Sequence, residues 1–385
     1  MPEERRPSTV ADPVTTVPPD SAGQNVAPEK VDERRVLDPQ DIGSADRASS
    51  RAAQQQDDYA ELKRLIVQQG LLDKQPAYYV SKALLGVVLL GASLAFLLVV
   101  ESFWLQLLNA AFLAFAFTQV GYLGHDAGHR QIFNGAPKND MVGLTINLLI
   151  GLSRSWWVDT HNQHHTTPND LDLDPHTALP MFAFSEEQAR EKRGFLRILV
   201  RYQSFYFFPI LLLEGIGAKL AGVQYLLREE AKFRVTESLL MALHLVVYLG
   251  LLFYVLSVWQ AVLFIVVHQG LLGLYMGSVF APNHKGMPLL EKGNQLDFVR
   301  RQVLTSRNLK AHPVTDFLYG GLNYQIEHHL FPSMPRNKLR KAQPIVRAFC
   351  EAHSIPYRES SVLQSQREIL QYLHRVSAPL RESGT

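Results

Sequence analysis

Cysteine is almost absent from this chain of 385 residues, which has only Cys350. A single thiol excludes a disulfide framework and cannot supply a four-cysteine iron–sulfur site. The net charge at pH 7 is +2, which gives no reason to expect a nucleic-acid partner. The opening residues Met1-Pro-Glu-Glu-Arg-Arg lead into a polar tract and lack the pattern of a cleavable signal peptide, so we expect none.

Lysine and arginine are missing from two long stretches, residues 83–124 and 235–281, and each stretch has a single acid, Glu101 or Glu237. A membrane-spanning helix needs about 20 apolar residues, so each stretch is long enough for two passes. We therefore predict four spans, at about residues 79–100, 103–124, 239–256 and 258–281.

The links between paired spans, near residues 101–102 and near residue 257, are very short and carry no basic residue. By the positive-inside rule these links face outward and the charged segments are cytoplasmic. The prediction is an all-α integral membrane protein of the cell's inner (plasma) membrane, with four transmembrane helices and both termini inside. Residues 125–237 and 282–385 would form a cytoplasmic helical cap.

The polar start of the chain differs in composition from the rest. Residues 1–57 are rich in Pro, Asp, Ser, Gln and Arg and are predicted to be a disordered tail. Residues 58–385 then form the membrane domain. At its start, the spacing of Tyr59, Leu62 and Ile66 predicts an amphipathic helix that lies on the membrane surface.

Two apolar segments outside the four spans are too short to cross a membrane. Residues 141–152 and 203–213 are therefore predicted to be surface or re-entrant segments. Two histidines, His244 and His268, lie inside the predicted spans, where we expect them to form hydrogen bonds between helices.

Histidine is concentrated in three places, which hold seven of the fourteen histidines in the chain. A buried histidine needs a partner for each ring nitrogen, so packing alone does not favour such clusters. The spacings i,i+4 and i,i+3,i+4 put the rings of a cluster on one helical face. All three clusters fall in the predicted cytoplasmic segments, so we predict that they meet in one metal site. The clusters are His125/His129, His161/His164/His165 and His328/His329.

The ligand type restricts the metal, because neutral imidazole suits Fe, Zn, Cu or Ni. Seven rings are too many for one four-coordinate zinc, so the cap is predicted to hold two metal ions. Nearby acids are candidates to orient the ring N–H groups, and for each of them a solvated or capping carboxylate is an equal alternative. The candidates are Asp126, Asp159, Asp170, Asp172, Asp174 and Glu327.

These motifs together resemble the three histidine boxes of membrane-bound fatty-acid desaturases. The boxes are His125-Asp-Ala-Gly-His129, His161-Asn-Gln-His164-His165 and Gln325-Ile-Glu-His328-His329. The order of two spans, two boxes, two spans and one box strengthens the resemblance, which runs from about Leu62 to His353. The sequences Asn323-Tyr324 and Leu330-Phe331-Pro332 beside the third box agree with it.

The resemblance implies a di-iron centre that activates O2 with two external electrons, removes two hydrogens from neighbouring acyl carbons and leaves a cis double bond and water. The seven box histidines would be iron ligands, and His284 would be an eighth. Gln325 stands where many desaturases have a histidine. Three roles stay open for it: its amide oxygen coordinates iron, its side chain holds a water molecule, or it does neither. Trp156 and Trp157 would line the substrate entrance. The alternatives are that they only pack against neighbouring side chains or that they belong to an aromatic belt at the membrane interface.

The resemblance also implies a substrate, a long-chain acyl-CoA or acyl-lipid in contact with membrane lipids. The stretch from Gly320 to Arg336 is similar to actinobacterial stearoyl-CoA desaturases and favours Δ9 desaturation of a saturated acyl-CoA. Gln325 equally resembles the front-end desaturases, which act between an existing double bond and the carboxyl end. Front-end Δ6 or Δ5 (linoleoyl-type) activity is therefore the alternative.

The electron donor is expected to be a separate protein, because His312-Pro313 does not continue as the His-Pro-Gly-Gly haem motif of cytochrome b5. A ferredoxin or an NADPH-dependent flavin reductase would serve. Two rival functions stay open. A membrane hydroxylase or alkane monooxygenase would use similar boxes but insert oxygen, and a metal transporter would need ionisable residues along the spans.

Overall fold

The computed structural model describes residues 58–228, 231–291 and 293–382. The predicted disordered tail, residues 1–57, lies outside the described residues. The described part is mostly helical, as predicted, with one parallel pair of two-residue strands in which Asn308 lies opposite Glu359.

The elements follow one another in chain order, beginning with helix α1 at residues 58–68. The helices up to the second histidine cluster are α2 (Pro76–Val99), α3 (Phe103–Gly128), α4 (Ala136–Ile150) and α5 (Arg154–Thr166). After the 3-10 turn Pro175–Thr177 come α6 (Glu186–Glu191), α7 (Gly194–Arg201), α8 (Gln203–Leu211), α9 (Glu214–Arg228), α10 (Arg234–Val255) and α11 (Val258–His284). The last part has α12 (Phe298–Leu304), β1 (Asn308–Leu309), α13 (Pro313–Leu318), α14 (Gln325–Leu330), the 3-10 turn Arg336–Lys338, α15 (Leu339–Ala352), β2 (Glu359–Ser360), α16 (Val362–Val376) and α17 (Ala378–Glu382).

Four helices, α2, α3, α10 and α11, are long and apolar enough to cross a membrane, so the predicted fold class is confirmed. They differ in how much protein surrounds them. The most apolar stretches of α2 and α10 are 17% and 6% buried, against 44% and 33% for α3 and α11. The inner pair is therefore α3 and α11, and it is this pair that ends in histidines, His125 and His284.

The two short apolar segments form bent helix pairs. The axes of α4 and α5 differ by 114°, and those of α8 and α9 by 73°, so each pair is either a broken span or a re-entrant loop. The first bend is at Gly151, whose φ of 67° is left-handed and favours glycine. A side chain at Gly151 would also collide with the His244 ring.

A carboxylate from α10 holds the start of α5. Glu237 is fully buried, and it accepts hydrogen bonds from Ser153 Oγ at 2.7 Å, Ser155 N at 3.0 Å and Ser155 Oγ at 2.5 Å. The first N–H groups of a helix have no partner within the helix, and a negative charge there is favourable. The acid therefore ties α10 to the helix that carries the second histidine cluster.

The apolar face of α1 is the predicted one, but protein covers it. Leu62 and Ile66 are fully buried in one core cluster with Phe331 and Met334, next to the third histidine cluster. The prediction of a helix on the membrane surface is therefore wrong for this face. The pattern specified only an apolar stripe, and the cap supplied a protein surface to cover it.

The two histidines inside the spans do connect helices, so that prediction is confirmed. His268 Nδ1 on α11 lies 2.7 Å from the Tyr248 hydroxyl on α10. His244 Nδ1 on α10 lies 3.0 Å from the Leu148 carbonyl on α4.

We predict that Glu237→Gln lowers the melting temperature of the detergent-solubilised protein. The amide replaces one acceptor oxygen with an NH2 donor that faces hydroxyl or N–H donors, at an expected cost of about 1–3 kcal/mol. Glu101→Gln is the matched control, since it removes the exposed acid of the other uncharged stretch. Equal melting temperatures for the two variants would contradict the proposed role of Glu237.

Candidate metal centre

The three histidine clusters and His284 meet where α3, α5, α11 and α14 come together. His129 caps the end of α3, and the second cluster lies along α5. All eight side chains are buried, the most exposed at 8%.

The rings form two groups and one link between them. Ligand nitrogens of the first group lie within 4.8 Å of one another, and so do those of the second group. His165 lies between the groups, with ring centroids 4.5 Å from His129 and 4.2 Å from His329. The first group is His125, His129, His161 and His328, and the second is His164, His284 and His329.

Several ring nitrogens in the cluster are buried without any hydrogen-bond partner. A buried polar atom left in this state costs free energy, so proteins rarely contain one, and here several are adjacent. The Nε2 atoms of His164 and His284 also face each other at 3.3 Å. Metal ions among the rings would bind these atoms, so the residues fit a metal centre. The unpartnered atoms are Nε2 of His125, His129 and His329, Nδ1 of His165, and both nitrogens of His328.

Five rings of the cluster are held in their neutral form. Burial lowers the pKa of their imidazoles well below the ordinary value, and neighbouring histidines lower it further. Neutral imidazole is the form that binds a metal. These rings are His129, His161, His165, His328 and His329.

Asp126 orients the first ring of the first group. Its Oδ1 lies 3.2 Å from His125 Nδ1, and its Oδ2 lies 2.8 Å from Arg336 Nε. Arg336 comes from the turn after the third box, so this chain of contacts connects the first box to the third. The carboxylate leaves His125 Nε2 as the nitrogen that points into the cluster.

Asp174 orients the second group in the same way. Its Oδ2 lies 2.9 Å from His164 Nδ1 and accepts a hydrogen bond from the Asn169 backbone N–H at 2.9 Å. Burial alone would raise the pKa of Asp174, but the hydrogen bond with His164 and the neighbouring basic groups outweigh burial and lower the pKa overall. The side chain is therefore a carboxylate, and His164 presents Nε2.

Two further partners come from the segment before the third box, and the sequence analysis missed both. Gln302 Oε1 lies 2.9 Å from His329 Nδ1, and Gln302 Nε2 donates to the His165 carbonyl at 2.9 Å. The Thr305 carbonyl lies 3.1 Å from His284 Nδ1. Neither residue has a spacing that relates it to a histidine box, so no sequence signal could have found them.

The remaining acids lie away from the rings. Glu327 points to Asn308 Nδ2 and the Tyr357 hydroxyl, each at 2.7 Å, and burial raises its pKa to about 7. Asp159 is exposed on α5. The structure therefore gives Glu327 a role in holding α14 to its neighbours, rather than one in orienting a histidine.

Gln325, the residue in question in the third box, faces the second group. Its Nε2 lies 3.0 Å from His284 Nε2, and its Oε1 accepts a hydrogen bond from Asn283 Nδ2 at 3.1 Å. The side chain is thus close enough to the group to interact with a metal ion or its water.

An apolar cavity lies against the first group, between α3, α5, α9 and α11. His125 and Trp157 line its end next to the rings, and Trp157 stacks on His161 with centroids 4.3 Å apart. Gly128 permits this arrangement, because a side chain there would collide with the Trp157 ring. Trp156 is half-buried, and it does not line this cavity. Other lining residues are Phe117, Thr118, Gly121, Lys219, Leu272 and Met276.

Residues 102–361 match the family model described as fatty acid desaturase. The matched range contains all eight histidines, the inner spans α3 and α11, and the cavity.

Curated relatives agree. The chain is 31% identical over 336 residues to the Acyl-lipid (9-3)-desaturase of Physcomitrium patens, covering 84% of this chain and 63% of the relative. It is 31% identical to the Delta(6)-fatty-acid desaturase fat-3 of Caenorhabditis elegans, covering 78% and 70% of the two chains. It is 31% identical to a Delta(8)-fatty-acid desaturase of Euglena gracilis, covering 83% and 78%.

The predicted resemblance is therefore confirmed, and with it the class of enzyme, an oxidoreductase of fatty acyl chains. The family match contradicts the metal-transporter alternative. The buried rings with unpartnered nitrogens and the adjoining apolar cavity agree with the family match. This chain belongs to the fatty acid desaturase family, as the family model and the similar relatives show.

Proposed function

We propose that the protein is a front-end desaturase that uses O2 to insert a cis double bond into an acyl chain of a membrane lipid. The observation that carries the proposal is the pair of histidine groups beside an apolar cavity that ends at His125 and Trp157. The two groups suit two metal ions, and the cavity suits a hydrocarbon chain.

We propose iron as the metal, held by His125, His129, His161 and His328 in one group and by His164, His284 and His329 in the other, with His165 between them. When bound, the iron pair supplies the oxidation, which uses O2 and two electrons to remove two hydrogens from neighbouring carbons and yields a double bond and water. All the protein ligands are neutral, so the acids Asp126 and Asp174 offset part of the metal charge.

The protein's own contribution is orientation. Four rings are held through Nδ1, by Asp126, Asp174, Gln302 and the Thr305 carbonyl. Each of these contacts fixes the ring and leaves its Nε2 for the metal. Gln325 lies beside the second group and is proposed to hold a water or ligand there.

The cavity supports an acyl substrate. Its lining runs along α3 from His125 to Phe117, which is eight residues, or about 12 Å at the rise of an α-helix. The lining is nearly all apolar, so it can enclose the methyl-end part of a chain and exclude water. Trp157 borders both the cavity and the rings, where it would hold the reacting carbons.

The names of the relatives favour the front-end alternative over the Δ9 activity on a saturated acyl-CoA that the third-box sequence suggested. Two of the relatives' names give the double-bond positions Δ6 and Δ8, and the third name is that of an acyl-lipid desaturase. We therefore propose an acyl-lipid as substrate and a new double bond on the carboxyl side of an existing one.

We also propose that the metal centre faces the cytoplasm and that the electrons come from a separate protein, a ferredoxin or an NADPH-dependent flavin reductase. The positive-inside pattern supports the orientation. The proposed reaction takes two electrons from outside the metal centre, and either protein could supply them.

Expression in a host without desaturases, with an unsaturated fatty acid supplied, tests the reaction. We expect a new fatty acid two mass units lighter, with its new double bond between the existing one and the carboxyl end, by gas chromatography–mass spectrometry. A product that has gained oxygen would instead indicate a hydroxylase. A Δ9 product from a saturated chain would contradict the front-end assignment.

The ligand set is tested by His164→Ala. This variant removes a ring of the second group, so we expect it to insert into the membrane, lose most of its bound iron and form no detectable product. His374→Ala, at an exposed position on α16, is the control and should keep iron and activity. Full turnover by His164→Ala would show that the second histidine box is not part of the metal site.

The cavity is tested by Gly121→Leu. A Cβ at Gly121 would be in ordinary contact with Ile150, so the longer side chain has to extend into the cavity. We expect the variant to favour shorter acyl chains when mixed chain lengths are supplied. Gly91→Leu on α2, where a Cβ meets nothing within 4 Å, should leave the preference unchanged. If Gly121→Leu keeps the wild-type preference for chain length, the acyl chain does not bind in this cavity.

A further inference from the structure

A second pocket, polar and open, lies at the inner end of the spans, between α2, α3, α13 and the turn Arg336–Lys338. We call it the polar pocket and define it by Lys82, Gln119, Gly320, Arg336, Asn337 and Arg340, which line it together with Asp316. Apart from Arg336, which contacts Asp126, these side chains are used by neither the metal centre nor the acyl cavity.

The polar pocket carries an excess of positive charge. Lys82, Arg336 and Arg340 line it, and Asp316 is the one acid among its lining residues. Arg340 lies 3.2 Å from Asp316. Lys82 forms no ion pair within the described residues, and its Nζ instead lies 5.5 Å from the centroid of the Tyr78 ring.

The fixed part of the pocket is Arg336, which is 5% exposed. Its guanidinium is anchored by Asp126 and lies 5.2 Å from the centroid of the Tyr122 ring. Beside it, Asn337 Oδ1 is buried without a hydrogen-bond partner. The pocket thus offers one fixed cation, Arg336, and two further cations, Lys82 and Arg340.

One side chain separates the polar pocket from the acyl cavity. The Tyr122 ring lines the cavity and packs on Gly320 of the pocket. A Cβ at Gly320 would come within 2.6 Å of both the Tyr122 ring and Arg336 Nη1, and its φ of +60° also favours glycine. The glycine lets the ring and the guanidinium meet.

Helix α13 closes the outer side of this boundary. The hydroxyls of Tyr122 and Tyr275 both donate to the Leu318 carbonyl, at 2.6 and 2.7 Å. Val314 and Phe317 on α13 are exposed apolar side chains next to the spans. The pocket therefore lies at the end of the spans that carries the metal centre, with Lys82 six residues, or about 9 Å, into α2.

We propose that the polar pocket binds the phosphodiester of the phospholipid whose acyl chain is desaturated. Arginine and lysine bind phosphate through charge-assisted hydrogen bonds, and basic groups at this depth meet anionic lipid oxygens. This inference rests on the proposed function and deepens it. A headgroup held in the pocket places the carboxyl end of the acyl chain at a fixed distance from the metal centre. A front-end desaturase needs such a fixed distance, because the position of its new double bond is set relative to the carboxyl end.

The test is binding of two fluorescent probes to the purified protein in detergent, a labelled phosphatidylcholine and the same labelled fatty acid without phosphate. We expect Lys82→Gln to weaken phosphatidylcholine binding about fivefold, the factor that corresponds to about 1 kcal/mol per basic group near a lipid surface. Fatty-acid binding should stay within about twofold, and Lys82→Arg should restore the wild-type affinity.

Lys341→Gln is the matched control, because it removes an exposed cation next to Arg340 on α15 that does not line the pocket. The proposal is overturned if Lys82→Gln and Lys341→Gln bind phosphatidylcholine equally, or if both probes weaken together. It is also overturned if Lys82→Gln weakens competition by oleoyl-CoA alone, since the phosphate would then belong to coenzyme A.

The binding assay needs no turnover, so its outcome is separate from that of the reaction. Wild-type protein that binds phosphatidylcholine through Lys82 but forms no front-end product would support the pocket and refute the proposed reaction. A second test measures KM and kcat separately on the active protein. Lys82→Gln should raise KM for the phospholipid and leave kcat within about twofold.

Discussion

The centre of this molecule depends on keeping neutral imidazoles packed together away from water. Each buried nitrogen without a partner costs about 1–3 kcal/mol, and the cluster contains several. Charged rings would repel one another, and burial keeps rings such as His161 and His328 neutral. Metal ions bound among the rings would remove this cost. The rest of the cap serves to bring the rings together and to aim them.

That aiming is done by groups from every part of the chain. Asp126 follows the first histidine of α3, Asp174 follows α5, and Gln302 precedes the third box. Glu237, from the span α10, holds the start of α5. Because the contacts come from different elements, the membrane spans and the cap fold into one unit around the metal centre. The acyl cavity and the polar pocket then lie on either side of Tyr122.

Sequence patterns predicted the spans and the histidines because each depends on local features, namely the absence of charge over a long stretch and the spacing of rings on a helix. They could not choose among the acids. Asp174 and Glu327 are both buried near a box, yet only Asp174 reaches a histidine, because the turn after α5 folds back on it. Gln302 and Arg336 lacked any local signal. The helix α1 was misplaced because an apolar stripe does not say whether lipid or protein covers it.

The central claim is that the eight histidines hold two iron ions. It is tested most directly by measuring the metal content of the purified protein with inductively coupled plasma mass spectrometry, together with the protein concentration. The account predicts two iron ions per chain and little zinc. One metal ion per chain, or zinc in place of iron, would contradict it.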